Sequence, residues 1–272
     1  MKLRIKKLAI FTLLLALLIC LMPINVAKAN EYSRFCGYST TISAQSNTDE
    51  TINFTKRVPI SYQTVNGVPK YSQLSDLENS CGATAGSMVV GFYDKYYEDL
   101  IPDFKTYIGS GTYRGRDTVH IPKLMRELYT LMRTNIDDVG VNEPDCLNGL
   151  KSYVNGKGHS LSYTNVRYGS RINESTYTNA MQNNHPVLIF CSKMDLYAIS
   201  VGDTEDTISY TTFYGGHVVV GFGILTVNYY NGNNIFRTDK YINVATGLGS
   251  LTGYLKFEST DWCNAAYEVT IN

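Results

Sequence analysis

Two patterns of apolar residues follow one another along the chain, and they predict helices first and strands second. Downstream of residue 80, apolar side chains return every three or four positions, which is the spacing of a helix with one buried face. This stripe consists of Ala85, Met88, Val89, Phe92 and Tyr96. We therefore predict a largely buried helix from Cys81 to about Tyr97, and further helices at 121–132, 142–154 and 173–182.

The second part of the chain contains short apolar runs that are separated by glycine, proline and asparagine. Such runs are typical of strands, and the run at 218–224 has the continuous apolar character of a strand that is buried on both faces. Strands or short extended segments are predicted at 58–62, 68–71, 161–166, 185–191, 207–213, 218–224, 241–244, 253–257 and 266–271. Helices followed by an antiparallel sheet predict an α+β domain with the helices packed on one side of the sheet.

The first 29 residues have the three parts of a secretory signal peptide. A basic segment at 1–7 precedes an apolar run at 8–22, and Ala27-Lys28-Ala29 matches a small-x-small cleavage site. The apolar run is shorter than the roughly 20 residues that a membrane span needs. We therefore expect cleavage after Ala29, secretion, and no stable membrane span in the mature chain.

Residues 30–57 form a polar segment that is rich in serine and threonine and has only a weak hydrophobic pattern. Three interpretations fit it: a flexible lead, a removable pro-segment, or an extra edge element of the sheet. From residue 58 the hydrophobic pattern becomes more regular. No linker rich in proline, serine or glycine divides the rest of the chain. We therefore predict one domain that extends from 58 to 272.

Charge and cysteine content narrow the class of protein. Lys plus Arg and Asp plus Glu both number 24, so the chain lacks the basic excess that binds nucleic acid or anionic membranes. Loss of Cys20 with the signal peptide leaves an odd number of cysteines, which implies at least one free thiol or an intermolecular bond. No two cysteines have the C-x-x-C spacing of zinc ligands, and we expect neither a metal nor a cofactor.

Cys81 is the strongest candidate for a reactive group because we place it in the first turn of the first helix. Asn79 and Ser80 precede it, and both are preferred N-cap residues. A helix N-terminus carries partial positive charge, which stabilises a thiolate and lowers the pKa of a cysteine placed there. The small residues at 82–87 leave room for a substrate. The alternative is a small, inert core cysteine.

A nucleophilic cysteine needs a base, and the chain has four histidines. Three of them occupy positions typical of surface or loop histidines: His120, His159 and His185. His217 differs, because Gly215 and Gly216 precede it and a buried strand follows it. It can therefore point at a partner on a facing helix. It lies 136 residues after Cys81, within the separation of roughly 130 to 150 residues that papain-type enzymes show.

These residues, in this order, resemble the papain-like cysteine peptidases, and in particular the C39-like branch that is related to the bacteriocin-leader peptidases. The resemblance covers 58–257 and rests on three segments: Gln73…Asn79-Ser80-Cys81-Gly82, His185-Pro186-Val187-Leu188-Ile189 and Gly216-His217-Val218-Val219-Val220-Gly221. It implies that Cys81 is the nucleophile and His217 the general base, paired at rest as thiolate and imidazolium. It also implies that Gln73 and the Cys81 backbone amide form the oxyanion hole.

The resemblance further implies an Asn or Asp that orients His217, and two residues fit. Asn243 precedes the glycine-rich turn Thr246-Gly247-Leu248-Gly249, as the orienting residue does in the family. Asp239 lies four residues earlier and would face the same way on an unbroken strand, so periodicity does not separate the two. We favour Asn243. The aromatic residue usual in that turn is missing here, as is the C-G-x-C-W signature of papain.

We therefore expect an exported cysteine peptidase that hydrolyses a peptide or protein substrate through a thioester on Cys81. A cell-wall amidase of the NlpC/P60 type is one alternative, although such enzymes have a shorter Cys-to-His separation and no upstream Gln. A non-catalytic secreted binding protein on a papain-like scaffold is another, favoured by the 22 tyrosines. In a purely structural interpretation, all mature cysteines but one form disulfides.

Overall fold

The computed structural model describes residues 45–51, 54–104, 117–136, 140–199, 207–249, 252–260 and 262–272. They all belong to one unit of the chain, 34–272. The signal peptide predicted at 1–29 lies outside the described residues, as does Cys36. Among the residues that are described, no helix combines the length and the apolar character that crossing a membrane requires.

The described residues contain four α-helices, at the positions that the apolar spacing predicts. They are α1 (Cys81–Tyr93), α2 (His120–Leu131), α3 (Glu143–Gly156) and α4 (Glu174–Gln182). Two of them begin at capping asparagines: Asn142 Oδ1 accepts from the Asp145 amide at 2.8 Å, and Asn173 Oδ1 accepts from the Thr176 amide at 3.0 Å. These bonds satisfy amides that have no partner within the helix, which is why the helices begin there.

The first helix is shorter than the apolar stripe predicts, because it ends at Tyr93 rather than near Tyr97. Asp94 follows the helix, and its Oδ1 accepts from the Ile101 amide at 2.9 Å, which holds the next seven residues in a turn. Tyr96, predicted as part of the buried stripe, is 55% exposed as a result.

Every residue of α1 is buried, and its glycines make this possible. A Cβ atom on Gly82 would lie 2.7 Å from a Val141 methyl carbon, and one on Gly86 would lie 2.9 Å from the terminal carbon of Met132. Side chains at these positions would push α2 and the segment before α3 away from α1. The space beside Gly82 and Gly86 is therefore filled by neighbouring side chains, which pack closely against α1.

The strands form one large antiparallel sheet of eight strands and a separate two-stranded ribbon. The strands are β1 (Gln45–Thr51), β2 (Lys56–Thr64), β3 (Leu161–Asn165), β4 (Arg167–Tyr168), β5 (Arg171–Ile172), β6 (Val187–Tyr197), β7 (Thr207–Asn231), β8 (Asn234–Ala245), β9 (Thr252–Lys256) and β10 (Cys263–Ile271). The order in the large sheet is β1-β7-β8-β9-β6-β10-β3, with β2 and β6 also paired to β7. The predicted α+β class is confirmed.

The long strand β7 organises the sheet and differs from the prediction of two separate strands at 207–213 and 218–224. It continues through Gly215, which has a φ of 109° that glycine adopts readily. Its first half pairs with β1 and β6, and its second half pairs with β2 and β8. It also packs against α1, which brings the sheet to the helix that begins at Cys81.

Two further differences concern the first part of the chain. The extended segment expected at 68–71 is irregular rather than a strand, although Val68 and Tyr71 are buried. Of the three interpretations of 30–57, the described part corresponds to the edge element, since β1 pairs with β7. Phe54 follows β1 and packs its ring on Tyr229, with 5.4 Å between centroids.

Candidate active site

Cys81 is the first residue of α1, as the sequence predicts, but the expected side-chain cap is absent. Ser80 occupies the N-cap position with φ −84° and ψ 14° and makes no capping hydrogen bond. A capping serine needs extended backbone to turn its hydroxyl toward the helix amides, and this conformation turns it elsewhere. The Ser80 hydroxyl instead lies 3.4 Å from Gln73 Oε1. Ser80 therefore does not satisfy the first amides of α1 with its own side chain.

The turn after β8 connects Gln73 to the beginning of α1. The Gln73 amide donates to the Gly247 carbonyl at 2.9 Å. Gly247 has a φ of 75° and sits directly on the helix, because a Cβ atom added to it would lie 3.3 Å from Thr84 Cγ2. The turn thus holds Gln73 close to the beginning of α1.

His217 is joined to the same turn. Its Nε2 lies 2.7 Å from the carbonyl oxygen of Thr246, and the side chain is 2% exposed. A carbonyl oxygen only accepts, so Nε2 must carry the hydrogen, and the neutral ring keeps its lone pair on Nδ1. Nδ1 is consequently the atom that can take a proton. Burial lowers the pKa of His217 to about 4, and the bond to Thr246 only partly opposes this.

Cys81 is 1% exposed and is disulfide-bonded in this structure. Its partner lies outside the described residues. A disulfide sulfur is neither a nucleophile nor a negative charge, so nothing at Cys81 favours a protonated His217 in this state. The resting pair of thiolate and imidazolium expected from the resemblance is therefore not the state of this structure. Reduction of Cys81 is a precondition for that pair.

Asn243 is held by a different partner from the one that the resemblance implies. Its Nδ2 donates to the Tyr62 hydroxyl at 2.9 Å, and its buried Oδ1 has no hydrogen-bond partner among the described residues. The register explains this, because Asn243 lies opposite a β7 residue six positions beyond His217, a path of roughly 20 Å. Thr246 lies three residues further along, next to His217, and takes the position that the sequence assigned to Asn243.

Asp239, the rival candidate, belongs to a separate cluster of charges. It pairs with Val227, ten residues along β7 from His217, or roughly 33 Å of strand. Its oxygens accept from Arg237 at 2.8 and 2.9 Å and from the Tyr241 hydroxyl at 3.0 Å, and Lys256 lies 3.3 Å away. Burial acts to raise its pKa, but these partners hold the pKa of Asp239 below its usual value. Asp239 therefore bonds to neighbouring residues of the sheet and lies far from His217.

Thr246 is the residue that sequence reasoning missed. It contributes its main-chain carbonyl oxygen. Every residue has such an oxygen, so the type of residue does not reveal this role. The only signal in the sequence was its place at the start of the glycine-rich turn.

The other three histidines are bonded to carboxylates away from this cluster. His120 contacts Asp117 at 3.2 Å, His159 contacts Asp99 at 2.9 Å, and His185 contacts Glu268 at 2.6 Å. All three are half-buried; His159 and His185 lie in loops, whereas His120 is the first residue of α2.

Comparisons with known proteins leave the family open. No protein-family model, no curated protein and no solved structure matches this chain. Within the described ranges, no group of three or more His, Cys, Asp or Glu side chains is placed to hold a metal ion. The site is therefore interpreted from its own residues: a helix N-terminus with Cys81, a buried histidine fixed through Thr246, and Gln73.

The depressed pKa of His217 predicts a loss of stability in acid. Its folded-state pKa of about 4 lies below the unfolded value of about 6.5, so the unfolded chain binds more protons between these values. This contribution is present above pH 6.5 and is lost as the pH falls toward 4. Between pH 7 and pH 4.5, the non-reduced wild type should lose roughly 2–3 kcal/mol more than His217→Gln in urea unfolding. Equal losses in both proteins would contradict the neutral, buried histidine.

Proposed function

We propose that this protein is a secreted cysteine peptidase on a papain-like scaffold, in which Cys81 is the nucleophile and His217 is the base. One observation carries the proposal: the turn at 246–249 joins His217, Gln73 and the first turn of α1. His217 Nε2 bonds to Thr246, the Gln73 amide bonds to Gly247, and Gly247 rests on Thr84. These contacts link two residues that are far apart in sequence, His217 and Gln73, through one turn to the helix that begins at Cys81, which supports the proposal.

The first step of the proposed reaction is proton transfer. Once Cys81 is reduced, its thiol gives a proton to Nδ1 of His217, and the thiolate attacks the carbonyl carbon of the scissile peptide bond. The resulting oxyanion is stabilised by the Cys81 backbone amide and the Gln73 side-chain amide. The imidazolium then returns its proton to the leaving amine, which leaves a thioester on Cys81.

Water completes the cycle. His217 removes a proton from water, which attacks the thioester and releases the carboxylic acid and the thiol. The Thr246 carbonyl keeps the hydrogen on Nε2 throughout, so that Nδ1 alone exchanges protons with Cys81 and the substrate. In this proposal Thr246 has the orienting role that Asn or Asp has in the family.

The test is the rate at which iodoacetamide modifies reduced Cys81 as a function of pH, with the modified residue located by mass spectrometry. We expect rapid alkylation well below pH 8 and an upward shift of the profile in His217→Ala, because the imidazolium no longer stabilises the thiolate. Cys146 is the internal control, since burial raises the pKa of its thiol to about 12. Slow alkylation of Cys81 that is unchanged in His217→Ala would contradict the proposal.

A non-catalytic secreted binding protein is the second candidate, and the disulfide at Cys81 favours it. A structural disulfide resists mild reduction, whereas one that caps a nucleophile must be reducible to release the enzyme. If Cys81 stays oxidised in a reducing buffer that leaves the protein folded, the binding-protein interpretation is the better one.

A further inference from the structure

Two buried cysteines face each other across neighbouring strands, away from Cys81. Cys191 on β6 and Cys263 on β10 are direct Cα partners in the antiparallel ladder. Both are buried, and both are free thiols in this structure. The purely structural interpretation requires all mature cysteines but one to form disulfides, and in this structure Cys146, Cys191 and Cys263 are all free thiols.

The hydrogen bonds beside this pair show which kind of ladder position it occupies. The Ser192 amide donates to the Trp262 carbonyl at 3.1 Å, so the next pair along the ladder is a hydrogen-bonded one. Hydrogen-bonded and non-hydrogen-bonded pairs alternate in an antiparallel ladder, which places Cys191 and Cys263 at a non-hydrogen-bonded position. In agreement, the Cys263 amide donates to the Thr260 carbonyl rather than across the ladder.

That position matches the geometry of a disulfide. Directly opposed residues at non-hydrogen-bonded positions have Cα atoms about 4.5 Å apart and side chains on the same face of the sheet. Disulfides join residues whose Cα atoms are about 4.4–6.8 Å apart, so a bond fits this position, which lies beside a shift in register between Cys263 and Ala265. The present partners of the two thiols are weak: Cys191 Sγ lies 3.4 Å from the His217 carbonyl, and Cys263 Sγ lies 3.3 Å from the Ala265 carbonyl.

We propose that Cys191 and Cys263 are a redox-active pair that closes into a cross-strand disulfide when the chain folds in an oxidising environment. The oxidant is a low-molecular-weight disulfide. One cysteine thiolate attacks it and releases a thiol, and the second cysteine then displaces the other half as a second thiol. Two protein thiols are thereby oxidised and one external disulfide is reduced to two thiols.

The bond would act on the sheet next to His217. Cys191 is paired with Cys263 on one side and with His217 on the other. Oxidation removes the hydrogen that Cys191 shares with the His217 carbonyl and fixes β6 to β10. Any effect on peptide hydrolysis rests on the proposed function, but formation of the bond does not.

The test is refolding of the reduced, unfolded mature chain in buffers with defined ratios of oxidised to reduced glutathione. Refolding exposes both thiols to the oxidant before burial closes access. After a denaturing quench with N-ethylmaleimide, peptide mapping should find Cys191 linked to Cys263 in the wild type and in Cys146→Ala. The linkage should be missing in Cys263→Ala. A bond that closes a loop of about 70 residues should raise the melting temperature by about 10 °C relative to Cys263→Ala under the same oxidising conditions.

Two outcomes would overturn the proposal. One is full labelling of both Cys191 and Cys263 at oxidising ratios in protein that has refolded. The other is linkage of either residue to Cys146 with no Cys191–Cys263 product. Because the readout is a peptide mass, a failure here leaves the peptidase proposal untouched, and loss of peptidase activity leaves this proposal untouched.

Discussion

Reduced protein should hydrolyse an unfolded protein substrate, and Cys81→Ala should lower that rate by about 10³-fold or more. Removing the nucleophile of a catalytic unit costs nearly all of the catalysis that the unit provides, because the remaining members have no group to activate. The measurement is the release of fluorescent peptides from labelled casein by wild type, Cys81→Ala and Cys146→Ala. The last variant removes a buried thiol that packs beside Gly82 and has no role in the proposed reaction, and it should retain activity.

The same assay should depend steeply on reductant. Before reduction Cys81 is held in a disulfide, and no thiolate is available to attack a peptide bond. We expect activity to appear as dithiothreitol converts Cys81 to the thiol, with the fraction active following the fraction of Cys81 reduced. Hydrolysis that persists in Cys81→Ala would refute the assigned nucleophile. Release of peptidoglycan fragments without release of casein peptides would favour the cell-wall amidase.

Gly149→Ala should lower the free energy of unfolding by about 3 kcal/mol. A Cβ atom at this position in α3 would lie 2.6 Å from both the main-chain nitrogen and the Cα of Met132, which directly follows α2. Main-chain atoms cannot swing aside as a side chain can, so the two helices must separate in an otherwise fully packed region. Overpacking of this kind typically costs about 1–3 kcal/mol, and a main-chain clash belongs at the upper end.

Gly156→Ala is the matched control in the same helix. Nothing lies within 4 Å of a Cβ atom added there, so the substitution changes only backbone freedom and helix propensity. We expect the free energy of unfolding to stay the same or to rise by up to about 1 kcal/mol. Urea unfolding of the three proteins measures both effects. Equal stability of Gly149→Ala and Gly156→Ala would show that α2 and α3 are not packed as described.

The elements whose causes are local in sequence were predictable. Asn142 and Asn173 cap helices through amides only three residues away, and the apolar spacing after each marks the buried face. The place of Cys81 at the start of α1 was also predicted, although the capping bond expected there is absent. The end of α1 was not predictable in this way, because it is decided by a bond from Asp94 to an amide seven residues later.

The candidate site could be predicted only in part. Residue type and order pointed to Cys81, His217 and Gln73, since few side chains can serve as nucleophile, base and oxyanion donor. The group that forms a hydrogen bond with His217 could not be predicted from residue type. Asn243 and Asp239 have suitable side chains but lie opposite the wrong part of β7, and the atom that meets His217 is a main-chain carbonyl.

The sequence by itself therefore determined the helices, most of the strands and the residue types that can carry chemistry, because these depend on neighbours within a few positions. The tertiary structure alone decided which of those residues meet. The register of β8 on β7 selected Thr246 over Asn243, and the register of β10 on β6 placed Cys263 opposite Cys191. Register depends on the packing of whole strands, and a shift of a few residues changes every partner across the ladder.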